Sequence, residues 1–217
     1  MLKKFKVWYK NVFGSRRELV REEAMDVKNH RVEIRDTTYF VAKALFTDIP
    51  EMIDIERAVY AGKAPWDATA FANELRREKD RLYLVIRKND RLLAFIGSTF
   101  DERTRDAHIT NIAVLPDYQS RGLGRFLMGI MIKKARHLNY KTVSLEVRVS
   151  NKNAQKLYRD LDFEQTGIKR GYYFGDHEDA ADMVLYLKDD EADATVATEK
   201  GRVGTWPLVF LRENKWE

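Results

Sequence analysis

The stretch Arg81–Phe100, RLYLVIRKNDRLLAFIGSTF, constrains the fold more than any other. Two apolar β-prone runs flank Asn89–Asp90, a pair that tolerates the left-handed backbone of a tight turn, so the segment reads as a β-hairpin. A third strand follows from Ala107 to Leu115, AHITNIAVL, and Pro116–Asp117 end it. Upstream, TYFVAKAL is β-rich, TDIPEMIDIERAVY reads as a helix with Pro50 in its first turn, and WDATAFANELRRE reads as a helix capped by Asp67. Downstream come a helix over Gly122–Leu138, a strand over Thr142–Arg148 and a helix from Ser150 or Asn151 through Asp160. DFEQTGIKRGYYF and ADMVLYLK read as a closing pair of strands. This order predicts a mixed, mostly antiparallel α/β sheet with helices on both faces.

The join between the third strand and the long helix is YQSRGLGR, Tyr118–Arg125. The first amides of a helix have no intrahelical acceptor, and the helix dipole places partial positive charge there. Gly122 and Gly124 let a ligand approach the backbone, and Arg121 and Arg125 add full charges. Such a loop suits a phosphate or pyrophosphate. Its pattern, Q-x-x-G-x-G, is neither the dinucleotide-binding G-x-G-x-x-G nor a P-loop with Lys and Ser/Thr. An ordinary glycine-containing turn explains those letters alone equally well.

Composition removes several chemistries. The chain has no cysteine, so disulfides, thiolate nucleophiles and cysteine–zinc sites are excluded. His30, His108, His137 and His177 show no metal-ligand spacing, and no metal is expected. Residues 1–31 hold nine of the 39 Lys/Arg and four of the 34 Asp/Glu, which leaves the remainder neutral. The basic excess therefore belongs to an N-terminal arm, and sequence-specific nucleic-acid binding is not expected. With 44% hydrophobic and 34% charged residues and no apolar run near the ~18–20 residues of a membrane span, a cytoplasmic protein is expected.

The blocks NIAVLPDYQSRGLGRFLMGIMI and VSLEVRVSNKNAQKLYRDLDF, at their separation, resemble the GNAT acyltransferase superfamily. LEVRVSN and LY, followed by KRGYYFGDHEDAADMVL, are similar to the ribosomal-protein-alanine N-acetyltransferases of the RimI type. The resemblance spans about Asp36–Lys188. It implies the GNAT fold and acetyl-CoA as co-substrate. Ile112, Ala113 and Val114 would offer strand backbone to the pantetheine arm, much as a sheet edge accepts an added strand. Gln119, Ser120, Arg121, Gly122, Leu123, Gly124 and Arg125 would cradle the phosphates, and Asn151 would contact the cofactor.

By the same resemblance Glu146 is the base and Tyr158 the acid. A free N-terminal amine, with a pKa near ~8, needs only a modest base, and a departing thiolate gains from a proton donor. Glu146 stands between Leu145 and Val147, a costly place for a carboxylate without a task or partner, although strand alternation also allows a solvent-facing position. Trp66, Tyr172, Tyr173 and Glu56 are the candidate acceptor contacts, with His108 and His177 as accessory bases. Asp162 stands where the family often has glycine, and aspartate should keep the left-handed turn there.

Three segments are expected. Residues 1–35 form a basic arm, amphipathic over 2–13, suited to its own domain or to a ribosome or membrane surface. Residues 36–188 form the catalytic domain, and 189–217 form an acidic linker with an apolar tail. The implied activity is direct acetyl transfer, in a ternary complex, to the N-terminal amine of a small-subunit ribosomal protein beginning with Ala or Ser. A small amine or lysine acceptor, and an idle acyl-CoA-binding module docked on ribosomes, remain as alternatives. A monomer or weak dimer is expected.

Overall fold

The computed structural model describes residues 16–188. The amphipathic arm over 2–13 and the segment 189–217 lie outside the described residues. The elements are α1 (Arg16–Met25), β1 (His30–Ile34), β2 (Thr37–Lys43), α2 (Ile49–Val59), α3 (Ala68–Leu75), β3 (Arg81–Lys88), β4 (Arg91–Asp101), β5 (Asp106–Val114), α4 (Leu123–His137), β6 (Thr142–Arg148), α5 (Lys152–Arg159), β7 (Glu164–Lys169) and β8 (Ala180–Tyr186). They build one eight-stranded sheet in the order β1-β2-β3-β4-β5-β6-β8-β7. Every pairing is antiparallel except β5 with β6. Among the described residues no helix is long and apolar enough to cross a membrane.

The hairpin expected at Asn89–Asp90 is β3–β4, and both turn residues have positive φ, 50° and 61°. Leu92–Ser98 is buried without a break, so both faces of the sheet are covered there. α2 and α3 pack together and α1 packs on α4, while α2 and α4 each meet β4 and β5. Asp67 caps α3, its Oδ1 accepting from the Ala70 amide at 2.7 Å. Asp48, at the N-cap position of α2, makes no side-chain capping bond to the helix. Its carboxylate accepts from the Leu45 amide at 2.8 Å and pairs with Arg87 at 2.6 Å. Asp162 holds the left-handed turn after α5, at φ 66°.

Two features differ from the sequence reading. Residues 30–34, within the expected N-terminal arm, form β1 and pair with β2 across a two-residue turn, Arg35–Asp36, with φ 47° and 59°. Such turns favour Asn or Gly, so Arg-Asp gave no signal. α1 is tied down as well. Arg21 donates to the carbonyls of Lys79 and Phe100, Lys134 reaches the Ala24 carbonyl, and Ala24 and Met25 are buried. The last strand of the closing pair, β8, runs between β6 and β7, and β7 ends before Tyr172 and Tyr173.

What matters most for the site is where β5 leaves β6. The parallel ladder joins only Asp106–His108 to Thr142–Ser144. β4 carries a register shift at Gly97/Ser98, opposite Asn111 and Ile109, which leaves Thr110 as the extra residue of β5. Tyr83 stabilises this bulge. Its ring crosses Gly97 so closely that a Cβ there would stand 2.2 Å from Cζ, and its hydroxyl meets Thr110 Oγ1 at 3.0 Å. Gly97→Ala should therefore cost about 2–3 kcal/mol by overpacking. Tyr83→Phe should cost only about 1 kcal/mol for the lost hydrogen bond. Urea denaturation of the two variants measures both, and a neutral Gly97→Ala would contradict the packing.

Candidate active site

Past His108, β5 pairs with β4 on one edge only, so the opposite edge of Ile109–Val114 faces the gap between β5 and β6. A cavity of about 290 Å³ occupies the gap. Ile112, Ala113 and Val114 line one wall, and Tyr158, Leu157 and Asn151 line the α5 side. The floor is the loop between β5 and α4. Ser120 and Gly122 take left-handed backbone, φ 59° and 90°, which turns the loop tightly into the helix. The first helical bond runs from the Phe126 amide to the Gly122 carbonyl, and no side chain caps the start. The amides of Leu123, Gly124 and Arg125 thus have no helical acceptor, and these three residues line the cavity.

The donor candidates separate on this geometry. Gln119, Ser120, Gly122, Leu123, Gly124 and Arg125 line the cavity with the β5 residues and Asn151. Arg121 does not line it, and its guanidinium lies over the Tyr118 ring at 4.9 Å. Gln119 Nε2 donates to the Val114 carbonyl at 3.1 Å, tying loop to strand. Arg125 is braced by Asp160, at 3.2 Å to its carbonyl and 3.3 Å to its carboxylate. Asn151 caps α5, its Oδ1 accepting from the Ala154 amide at 3.0 Å. Gln155, buried, donates to the carbonyls of Arg148 and Val149 and so fixes the turn from β6 into α5. Arg35 and Tyr60 also line the cavity, and neither stands in a motif that the sequence marks.

Glu146 lies on β6, whose Val143, Leu145 and Val147 are buried in the core while Glu146 shares the other face with Ser144 and Arg148. Its side chain is only 11% exposed and sits in a chain of polar groups. Asp106 accepts from the hydroxyls of Thr142 and Ser144, both at 2.6 Å. Ser144 Oγ meets His108 Nδ1 at 3.0 Å, and His108 Nε2 reaches Glu146 at 3.3 Å. On the other side Lys169 Nζ pairs with Glu146 at 2.5 Å and with Asp182 at 3.3 Å. Burial pushes the Glu146 carboxyl up, but hydrogen bonds from His108 and Lys169 and their charges outweigh it and bring the pKa down to about 2.

The other carboxylate behaves in the opposite way. Glu56 on α2 is 2% exposed and accepts from the Trp66 amide at 2.9 Å. Burial raises its pKa to about 7, opposed by the Trp66 amide and the Asn111 side chain. Trp66 itself packs on Phe71, with ring centroids 5.4 Å apart, and is held against the core. Tyr60 connects the regions: burial, helped by the charge of Glu56, raises its pKa, and burial, helped by Tyr60, raises those of Tyr158 and Tyr173. Tyr158 is buried, which pushes its phenol well above the ordinary value and keeps it protonated.

Tyr172 and Tyr173 sit in the β7–β8 loop, their rings edge-to-face at 5.2 Å. Tyr173 donates to the Glu146 carbonyl at 3.4 Å, and the Arg148 guanidinium lies 4.1 Å from its ring centre. Arg148 also pairs with Asp176 at 2.7 Å and Glu178 at 2.6 Å, which clips the loop to the end of β6. The structure therefore gathers Glu146, Tyr172, Tyr173 and His108 into one network. It sets Glu56 with Trp66, and it places Tyr158 on the cavity wall. Tyr60, Lys169 and Arg35 were missed because isolated Tyr, Lys and Arg carry no pattern until the sheet brings them together.

Comparison with known proteins identifies the family and the fold. A model of the acetyltransferase (GNAT) family matches residues 49–163. The chain is 40% identical over 144 residues to a [ribosomal protein bS18]-alanine N-acetyltransferase of Salmonella typhimurium, covering 64% of this chain and 91% of that protein. It is 35% identical over 142 residues to a putative enzyme of the same name from Bacillus subtilis, covering 65% and 91%. The crystal structure of the ribosomal-protein-S18-alanine N-acetyltransferase of Escherichia coli superposes with a TM-score of 0.60 at 33% identity, over 68% of this chain and 93% of that one.

The Glu56 environment has a measurable consequence. A carboxyl moved from 4.5 to about 7 by folding binds more protons native than unfolded between those pH values. Stability must fall as pH rises through that window, by about 3 kcal/mol once pH exceeds 7. Glu56→Gln cannot ionise and should escape this loss. Denaturant titrations at pH 5 and pH 8 should show the variant gaining on the wild type as pH rises. Parallel profiles would refute the assignment.

Proposed function

This chain belongs to the GNAT acetyltransferase family and is an acetyltransferase, and from that premise we propose that it acetylates the N-terminal α-amine of a protein with acetyl-CoA as donor. The acceptor class is a ribosomal protein beginning with Ala or Ser, by analogy with the bS18-alanine enzymes it resembles. The observation that carries the donor assignment is the cavity in which an unpaired strand edge meets uncapped helix amides. A pantetheine-like chain needs the first and a pyrophosphate the second. Bound there, acetyl-CoA supplies an acetyl group activated as a thioester.

The residues divide the remaining work. The β5 edge and the Leu123–Arg125 amides hold the donor, with Gln119, Ser120 and Gly122 shaping the loop and Asn151 bordering it. Ile112, Ala113 and Val114 orient the thioester end. Tyr172 and Tyr173 flank the acceptor backbone beside Glu146, and Trp66 fixes the α2–α3 side. Glu56 draws the ammonium terminus, an attraction that grows as its carboxyl ionises through about pH 7. Holding amine and thioester together supplies much of the acceleration without a covalent enzyme intermediate.

The role of Glu146 shifts from the sequence expectation. Full proton transfer from an amine of pKa near ~8 to a carboxyl near 2 is uphill by about 8 kcal/mol. A base is also scarcely needed, because about one such amine in ten is neutral at pH 7. Glu146, always ionised, instead stabilises the positive charge that develops on nitrogen as the C–N bond forms. The nitrogen then loses its proton to solvent. Tyr158 keeps its proton until the C–S bond breaks and donates it to the departing sulfur.

Two experiments test this reading. A short peptide beginning with Ala should be acetylated, with initial-rate lines that intersect, whereas the same peptide N-blocked and carrying lysine should not react. A reversed preference would discard the α-amine acceptor. Glu146→Gln combined with Tyr158→Phe should lower kcat by about 10²–10⁴-fold with little change in the Kd for CoA. Undiminished turnover by that double variant would remove both residues from the mechanism.

A further inference from the structure

Of the two loop arginines that the sequence singles out, one does not line the donor cavity. Arg121 lies over Tyr118, and Arg125 is held by Asp160. A third arginine comes from elsewhere in the chain. Arg35, at the turn between β1 and β2, lines the cavity and donates through Nη1 to the Ser120 carbonyl at 2.7 Å. The approach is close and specific. A Cβ on Gly122 would stand 3.1 Å from Ile34 Cγ2 and 3.7 Å from Arg35 Nε, so β1 packs directly on the phosphate-type loop. β1 is the edge strand, and the family match begins only at residue 49. This wall of the cavity therefore belongs to a segment outside the matched domain.

The segment is anchored well enough to position a charge. β1 pairs with β2 over five residues, and α1 ahead of it is held through Arg21 and through the Lys134 bond to the Ala24 carbonyl. One Nη1 bond to Ser120 orients the guanidinium, a fork of five N–H donors, beside the uncapped amides of α4. A planar cation beside helix-start amides matches the two needs of a pyrophosphate, which carries negative charge and several acceptor oxygens.

We propose that Arg35 is a donor-binding residue, and that the α1–β1 segment completes the acetyl-CoA site by placing this guanidinium on the pyrophosphate. The inference rests on the donor reading above and adds a residue to it. Because Arg35 is exposed at the cavity mouth, solvent screens its charge and the effect is moderate.

The test is calorimetric binding of CoA and 3′-dephospho-CoA to the full chain, in wild type, Arg35→Gln and Arg35→Lys. Arg35→Gln should weaken both ligands about tenfold, and Arg35→Lys, which keeps the charge, should stay within about threefold of wild type. The gap between wild type and Arg35→Gln should narrow from 0.1 to 1 M salt, as the screening length falls from ~10 to ~3 Å. A loss confined to CoA would move the guanidinium to the 3′-phosphate and overturn the assignment. So would a salt-independent gap, which would mean that Arg35 only props Ser120, or unchanged affinity for both ligands. Absence of CoA binding by the wild type would overturn the donor reading itself, whereas wild-type binding with an indifferent Arg35→Gln would overturn this inference alone.

Discussion

The divergence of β5 from β6 is the constraint on which the rest depends. Two parallel strands that stayed paired would leave no gap, no free strand edge and no access to the start of α4. Three residue pairs hold the strands together at Asp106–His108, and the bulge at Thr110 then carries β5 away. The bulge depends on a side chain and on the absence of one. Tyr83 bonds Thr110 across the space that Gly97 leaves empty. A local packing detail in β3 and β4 thus opens the site two strands away.

The divergence also explains why two glutamates of one chain meet opposite fates. Glu146 lies two residues past Ser144, the last residue of β6 paired with β5, where His108 still reaches it from β5 and Lys169 from β7. Two hydrogen-bond donors, the His108 ring and the Lys169 ammonium, overcome burial there. Glu56 lies on a helix with a backbone amide and Asn111 for company, and burial prevails. The same side chain is a permanent anion in one place and a group poised near neutrality in the other.

Much of the fold was readable because its signals are local. The Asn89–Asp90 hairpin, the Asp67 cap, the glycine loop into α4 and the alternation of β6 each depend on neighbours in sequence. The β1 strand was not readable, because its two-residue turn uses Arg35–Asp36 where Asn or Gly is usual. The loop residues and the β5 edge line the cavity as the family resemblance implied, except Arg121, whose side chain had an aromatic partner that spacing cannot reveal. Glu146 could be picked out as unusual, but its ionisation could not. That property comes from His108 and Lys169, 38 residues before it and 23 after.

The strand order carries one last consequence, which concerns assembly rather than chemistry. β7 is made before β8 but pairs only with it, because β8 fills the place beside β6. Until the chain has returned along β8, β7 has no partner and the Tyr172–Tyr173 loop has no frame. Nearly every side chain on β7 is exposed, so little apolar burial holds the strand once it has docked. β7 and the loop that follows it are thus held chiefly by backbone pairing to β8. Amide exchange that begins there would leave β5 and the loop into α4 folded.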